Sequence, residues 1–148
     1  MKIYIGTDHA GFELKEKLKI FLSNMGHTFL DKGAFSFDQN DDYPDFIKPV
    51  AEAVSSDEGS LGIVLGKSGQ GEAMAANKTH GIRCAVYYGG PLDIPMLARK
   101  HNNANILSLG AGFLSDDEAK QAVKIFIETP FSNEERHERR INKIESYN

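Results

Sequence analysis

Apolar positions along the chain fall into two alternating rhythms. Short, dense apolar runs at Lys2–Thr7 (KIYIGT), His27–Asp31, Leu61–Leu65 (LGIVL), Ile82–Tyr88 and Ala104–Leu109 (ANILSL) predict strands. Between the first two, Leu14, Leu18, Phe21, Leu22 and Met25 recur at helical spacing over Phe12–Met25, and Gly26 closes that helix as a C-cap. Helices are also predicted over Tyr43–Ser55, Glu72–Lys78 and Leu92–His101. Pro44 suits the first turn of the Tyr43–Ser55 helix, whereas Pro49 is an awkward interior residue. Ser115-Asp-Asp-Glu118 reads as a capping box opening a helix that runs to Glu128. Ser132-Asn-Glu-Glu135 reads as a second box opening the last helix. Strands that alternate with helices imply right-handed crossovers and an α/β fold, a mostly parallel five-stranded sheet with helices on both faces. No repeat, low-complexity tract or linker interrupts the chain, so one domain over residues 1–148 is expected.

Composition narrows the class. With 41% hydrophobic and 26% charged residues, the chain reads as an ordinary soluble protein able to bury a core unaided. A net charge of -4 argues against a general nucleic-acid binder. The lone Cys84 cannot form a disulfide within the chain, which fits a reducing compartment. No apolar run is long enough to span a bilayer and the N-terminus does not read as a signal peptide, so no membrane partner and a cytoplasmic location are expected.

Ligands of open α/β sheets bind beyond the carboxyl ends of the strands. Those ends carry Thr7-Asp8-His9, Gly66–Glu72, Tyr88-Gly89-Gly90 and Gly110–Phe113, and the first two also hold acid–base groups. The stretch GKSGQGEAMAANK (Gly66–Lys78) places glycines and Ser68 between a strand and a helix, a pattern suited to an anion or oxyanion cradle. Gly66-Lys67-Ser68 resembles the end of a nucleotide P-loop, but the required upstream glycine is Leu61. The dinucleotide pattern fails at Met74.

Each candidate carries two readings. Glu72 is either an acid complementing a helix N-terminus or a general base beside the cradle. Asp8 and His9 are either a turn with a helix cap or loop-borne functional groups. His101 and Asn102 suit a helix C-terminus as well as a site. Arg136 and Arg140 share a helix face that is either solvated or able to hold a phosphate, beside a stripe of His137, Ile141 and Ile144. Cys84 reads as a buried structural thiol, and the acidic run Asp38–Asp45 as a solvated loop. No cluster shows convincing metal-ligand spacing.

Taken in order, the motifs resemble the type B ribose-5-phosphate isomerases and the related galactose-6-phosphate isomerase subunits. The resemblance rests on Gly6-Thr7-Asp8-His9-Ala10-Gly11-Phe12, Asp42-Tyr43-Pro44, Gly69-x-Gly71 leading to Ala75-Ala76-Asn77-Lys78, and Gly81-Ile82-Arg83. It continues through Arg99-x-His101-Asn102-x-x-Asn105 and Arg136-His137-x-x-Arg140. It implies a Rossmann-like three-layer sandwich and a metal- and cofactor-independent aldose–ketose isomerase working through an enediol. The implied site lies between two subunits of a homodimer or dimer of dimers. It also implies roles: His101 assisting ring opening; Asp8, His9, Tyr43, Ser68, Gly69, Gln70, Gly71 and Asn102 lining the sugar site; Arg136 and Arg140, with His9, holding the phosphate. Many members carry a catalytic cysteine where this chain has Gly66. A second branch uses a glutamate just after the loop, the place of Glu72. Many members also have a phosphate-contacting arginine where this chain has Gly112, and Lys67 is a candidate replacement. That departure leaves a six-carbon sugar phosphate (allose 6-phosphate or galactose 6-phosphate), or a non-catalytic binding subunit, as alternatives to ribose 5-phosphate.

Overall fold

The computed structural model describes residues 1–147. Five strands are present: β1 (Lys2–Thr7), β2 (Thr28–Asp31), β3 (Leu61–Gly66), β4 (Cys84–Tyr87) and β5 (Ile106–Gly110). They form one sheet in the order β2-β1-β3-β5-β4. Every adjacent pair is parallel, as the alternation predicts. The helices are α1 (Phe12–Asn24), α2 (Pro44–Ser56), α3 (Gln70–Ala76), α4 (Asp93–Asn102), α5 (Asp116–Glu128) and α6 (Glu135–Glu145).

Strand side chains alternate faces, and the alternation sorts the core into two layers. Ile3, Ile5, Ile63, Leu65, Leu107 and Leu109 pack against α1, α5 and Ala98 of α4. Tyr4, Val64 and Ile106 pack against Ile47, Val50 and Val54 of α2 and Ala76 of α3. Both faces of the central strands are therefore dry, which is why β1, β3 and β5 read as continuous apolar runs rather than as alternating ones.

Several boundaries move for identifiable reasons. Gly26, at φ +85°, ends α1 as its sequence position suggests. Pro49 lies inside α2 without ending it; the helix gives up one bond to the Asp45 carbonyl while Ile47, Val50, Ala51 and Val54 stay buried. β4 begins at Cys84 rather than Ile82 because Asn105 Oδ1 takes the Arg83 amide (2.8 Å) and Asn77 clamps Cys84, accepting its N–H and donating to its carbonyl. The Ser115–Glu118 capping box forms in full. The second box does not. α6 begins at Glu135 with no side-chain cap, and Ser132 instead takes the Glu134 amide at 3.3 Å while its own N–H donates to the Lys100 carbonyl. The tie to α4 decides where Ser132 lies, and the helix starts later.

One buried charge was not anticipated. Lys15 of α1 is fully enclosed, donating to both oxygens of Asp31 at the end of β2 and to the Ala34 carbonyl. A buried ammonium is tolerated only when paired in this way. The tie anchors the start of the long loop that crosses above β1, where Thr7 and Ala34 also exchange backbone bonds with Gly33 and Thr7.

Candidate active site

The carboxyl ends of β1, β3 and β5 are stitched together by short polar bonds. Thr7 Oγ1, fully buried, bridges to the Leu65 carbonyl at 3.0 Å. Gly66 and Lys67 present their carbonyls to the amides of Ala111 and Gly112 (2.8 and 2.9 Å), and Ser108 Oγ donates to the Gly69 carbonyl at 2.7 Å. Gly69 stands at φ +79°, a left-handed turn that glycine adopts without strain and that lets α3 begin two residues earlier than predicted. Ser68 Oγ accepts the Gln70 amide at 3.2 Å. The loop is therefore rigid, and its backbone can hold donors in fixed positions.

Glu72 does not behave as an exposed acid at a helix N-terminus. It is 4% exposed, and its carboxyl lies directly over Gly66, in the volume a Cβ on that residue would occupy. Any side chain at position 66 would expel it, so the glycine at the end of β3 and the glutamate on α3 depend on each other. Burial pushes the Glu72 carboxyl above its ordinary pKa; the nearby Asp8 charge adds to this, and the Glu72 and Gly69 amides offset part of it. Asp8, 6% exposed, is likewise raised, chiefly by burial, and its Oδ1 accepts the Ala10 amide at 3.0 Å. The cap and the functional placement thus coincide at Asp8.

Asp8, His9, Tyr43, Lys67, Ser68, Gln70, Gly71 and Glu72 line one cavity of about 400 Å³. Gly69 supplies the turn beneath it, and the Tyr43 hydroxyl lies over Gly71, where a Cβ would meet it at 2.6 Å. Lys67 reaches the cavity by running its stem across Gly112, where a Cβ would sit 3.0 Å from Lys67 Cγ. Three lining or supporting residues are absent from the sequence-based candidates, Ala10 of the cavity lining among them. Met74 also lines the cavity. Asp41, from the acidic run expected to be solvated, has a side chain only 9% exposed and accepts both the His9 amide (3.0 Å) and His9 Nδ1 (2.6 Å). Its only sequence signal was a place in a charge run, and such runs are usually exposed.

Asp8, His9 and Asp41 could each bring one donor atom within 4.8 Å of the others, the separation a bound metal ion needs. The His9–Asp41 bond and the Ala10 amide on Asp8 already use that geometry, so the trio reads as a hydrogen-bonded cluster.

The remaining expected residues lie elsewhere in the chain. α4 runs back from β4 to β5, so its last turn, with His101 and Asn102, falls at the amino edge of the sheet, opposite the Glu72 loop. There His101 stacks on His137 of α6, ring centroids 4.3 Å apart and 16° from parallel. His137 is buried with Nε2 3.1 Å from the Glu134 carboxylate; burial lowers its pKa, and the charges of His101, Arg136 and Arg140 add to the effect. Arg136 and Arg140 project from exposed positions on the same helix. None of His101, Asn102, Arg136 and Arg140 lines the Glu72 cavity. Cys84 begins β4 at that same amino edge, and burial pushes its thiol far above the usual range.

Comparison with known proteins converges on one family. A sequence model of the Ribose/Galactose Isomerase family matches residues 3–144. Ribose-5-phosphate isomerase B of Mycolicibacterium paratuberculosis is 46% identical over 147 residues, covering 99% of this chain and 91% of the relative. Its counterpart in Mycobacterium tuberculosis is 44% identical, covering 99% and 90%. The crystal structure of ribose-5-phosphate isomerase B from Mycoplasma genitalium, with bound ribulose-5-phosphate, superposes with a TM-score of 0.94 at 39% identity, covering 99% of this chain and 95% of that one. The Thermotoga maritima ribose 5-phosphate isomerase gives 0.91 at 44% identity, covering 99% and 98%. The chain belongs to the ribose/galactose isomerase family.

Proposed function

We propose that this chain is an isomerase interconverting ribose 5-phosphate and ribulose 5-phosphate through an enediolate, with Glu72 as the base. The observation that carries the reading is the buried Glu72 carboxyl over Gly66, in a cavity also lined by Asp8, His9 and Ser68, Gln70 and Gly71 of a fixed loop. Its relatives of 44–46% identity are ribose-5-phosphate isomerases B.

Removing the proton from C2 of the open aldose leaves charge on the C1 oxygen. Donors already in place stabilise such an oxyanion, each by about 3–4 kcal/mol, without reorganising as the charge develops. The Ser68 hydroxyl and the amides of the Gly66–Gly71 loop other than that of Gln70, which Ser68 Oγ takes, are the candidate donors, in a loop held by bonds to the end of β5. Glu72 returns the proton to C1, while the hydroxyl proton moves from O2 to O1, so atoms and charge balance. A raised carboxyl pKa suits a base that must give the proton back.

His101 assists ring opening, Asn102 contacts the sugar, and Arg136 and Arg140 hold the phosphate, but from a second subunit. One chain keeps these groups at the opposite edge of its sheet from Glu72, so a homodimer, or a dimer of dimers, completes the site. Exposed Met74, Tyr88, Ile94, Leu97 and Phe113 supply an apolar surface suited to such an interface. Lys67, crossing the bare Gly112, gives the phosphate a cation from the turn after β3 in place of an arginine after β5.

That exchange also favours a second reading, a six-carbon sugar phosphate, because the cation's position sets the distance from phosphate to reacting carbon. Turnover by the purified protein on ribose 5-phosphate, allose 6-phosphate and galactose 6-phosphate separates the two. The first reading expects the highest kcat/KM on ribose 5-phosphate; a preference for either hexose phosphate overturns it. A protein that binds these compounds without turning them over would be a non-catalytic subunit.

A further inference from the structure

We propose that Asp41 is a positioning residue for His9, fixing the ring's tautomer and charge so that Nε2 stands as a donor toward the anionic end of the substrate. The substrate part of this statement rests on the sugar-phosphate reading above; the His9–Asp41 pair does not.

One carboxylate oxygen, Asp41 Oδ1, takes both the His9 backbone N–H at 3.0 Å and the ring Nδ1 at 2.6 Å. An ionised carboxylate only accepts, so Nδ1 carries the hydrogen, and in the imidazolium Nε2–H is left to donate to a ligand. Both bonds close on the same residue, which restrains the ring's rotation as well as its tautomer. Phe37 meets the imidazole edge to face, with centroids 6.3 Å apart at 89°. The other oxygen, Asp41 Oδ2, is buried without a hydrogen-bond partner among the described residues, so its charge is not spent on another donor. The groups facing His9 are Asp8, with its carboxylate 4.0 Å from Nδ1, Asp38 and Asp41 of the crossing loop, and Tyr43, Lys67 and Glu72 around the cavity. The Asp41 hydrogen bond dominates, and it holds the imidazolium above its usual pKa. Asp41 itself does not line the cavity.

The test replaces Asp41 in the full-length protein. Imidazole NMR across the histidine titration range follows His9 in the wild type, Asp41→Asn, Asp41→Glu and Asp42→Asn, the last removing an exposed charge from the same run. Asp41→Asn should lower the His9 pKa and allow tautomer exchange, while Asp42→Asn leaves both nearly unchanged. With ribose 5-phosphate as substrate, Asp41→Asn should raise KM about tenfold with kcat little altered, the size expected for a charge-assisted contact. KM rises as pH climbs through the His9 pKa, and in Asp41→Asn that rise should begin at lower pH. Asp41→Glu, which keeps the charge, should recover part of the loss. An unmoved His9 titration in folded Asp41→Asn overturns the proposal, and so does a shifted titration with unchanged KM and pH profile. A wild-type protein with no turnover on ribose 5-phosphate would instead count against the sugar-phosphate reading, with the titration still judging the pair.

Discussion

The Glu72 cavity and the His101–Arg140 surface hold their charges in opposite ways. Around the cavity, Asp8 and Glu72 are almost fully buried, and Asp41 is pinned to His9. Their positions are set by β1, β3 and a loop bonded to β5, elements at the centre of the sheet. At the amino edge, Asn102, Arg136 and Arg140 are exposed, and Arg136 has a loose partner, the Glu134 carboxylate at 3.6 Å. The first set is preorganised by its own chain. The second has the residue types of a binding site and, among the described residues, takes no part in the Glu72 cavity. A chain that spends so much burial on one half and so little on the other fits the proposed sharing of the site between two subunits.

The strongest way to break that comparison is to mix two dead proteins. Glu72→Gln should lower kcat by about 10²–10⁴-fold, the usual contribution of a positioned base. His101→Ala should also lose most turnover on the cyclic substrate. If the site is shared, unfolding the two variants together and refolding them recreates one intact site in each mixed dimer. Random pairing then restores about a quarter of wild-type activity. If each chain holds its whole site, the mixture stays as inactive as its parts.

Glu72→Gln also sharpens the energetic side. A buried carboxyl with a raised pKa binds its proton more tightly folded than unfolded. Stability from this group is therefore retained at low pH and lost as pH rises between the ordinary and the raised value. Glutamine carries no such loss, so the variant should melt higher than wild type at neutral pH and about equally in acid. Each kcal/mol gained should appear as roughly 2–4 °C in Tm. Gly66→Ala reaches the proposed base from the other side. Its Cβ would take the space of the Glu72 carboxyl, and kcat should fall toward the Glu72→Gln value in a protein that remains folded.

How legible these two halves were in the sequence follows from the same physics. The strand and helix order was legible because both faces of the sheet are dry, which leaves apolar runs and stripes that need no partner to be read. The Ser115–Glu118 box was legible because a cap is local. Ser132 misled because its amide is held by the Lys100 carbonyl, a contact set by packing. Lys15 was illegible for a similar reason: its enclosure depends on Asp31, sixteen positions away. Asp41 looked like its exposed neighbours, and only the fold brings it beneath His9. The separation of His101 from Glu72, by contrast, follows from topology alone, since a crossover helix must end at the edge of the sheet opposite the one where it began.

A smaller effect is expected at the phosphate end. Lys67→Ala should raise KM for ribose 5-phosphate by roughly tenfold and leave kcat nearly intact, since a remote cation lends binding more than chemistry. The double variant Lys67→Ala, Gly112→Arg should recover part of that loss if the two positions serve one phosphate. The lysine stem crosses the glycine, so removing it leaves a Cβ at position 112 to accommodate only the Lys67 carbonyl, at 3.0 Å.

The smallest effect, none on turnover, is expected from thiol reagents. Cys84 sits at the start of β4, at the amino edge of the sheet, with its amide and carbonyl clamped by Asn77. Cys84 is half-buried, and its burial raises the thiol pKa and disfavours the thiolate. Only the thiolate reacts at a useful rate, so alkylation of the folded protein should be slow and should track unfolding rather than catalysis. A cysteine base would behave oppositely, with rapid labelling, protection by substrate and loss of turnover in step. Rapid inactivation protected by ribose 5-phosphate would therefore place a thiol in the chemistry and remove Glu72 from its assigned role. Slow labelling with full retained activity would leave the carboxyl over Gly66 as the base, at the opposite, carboxyl end of the sheet.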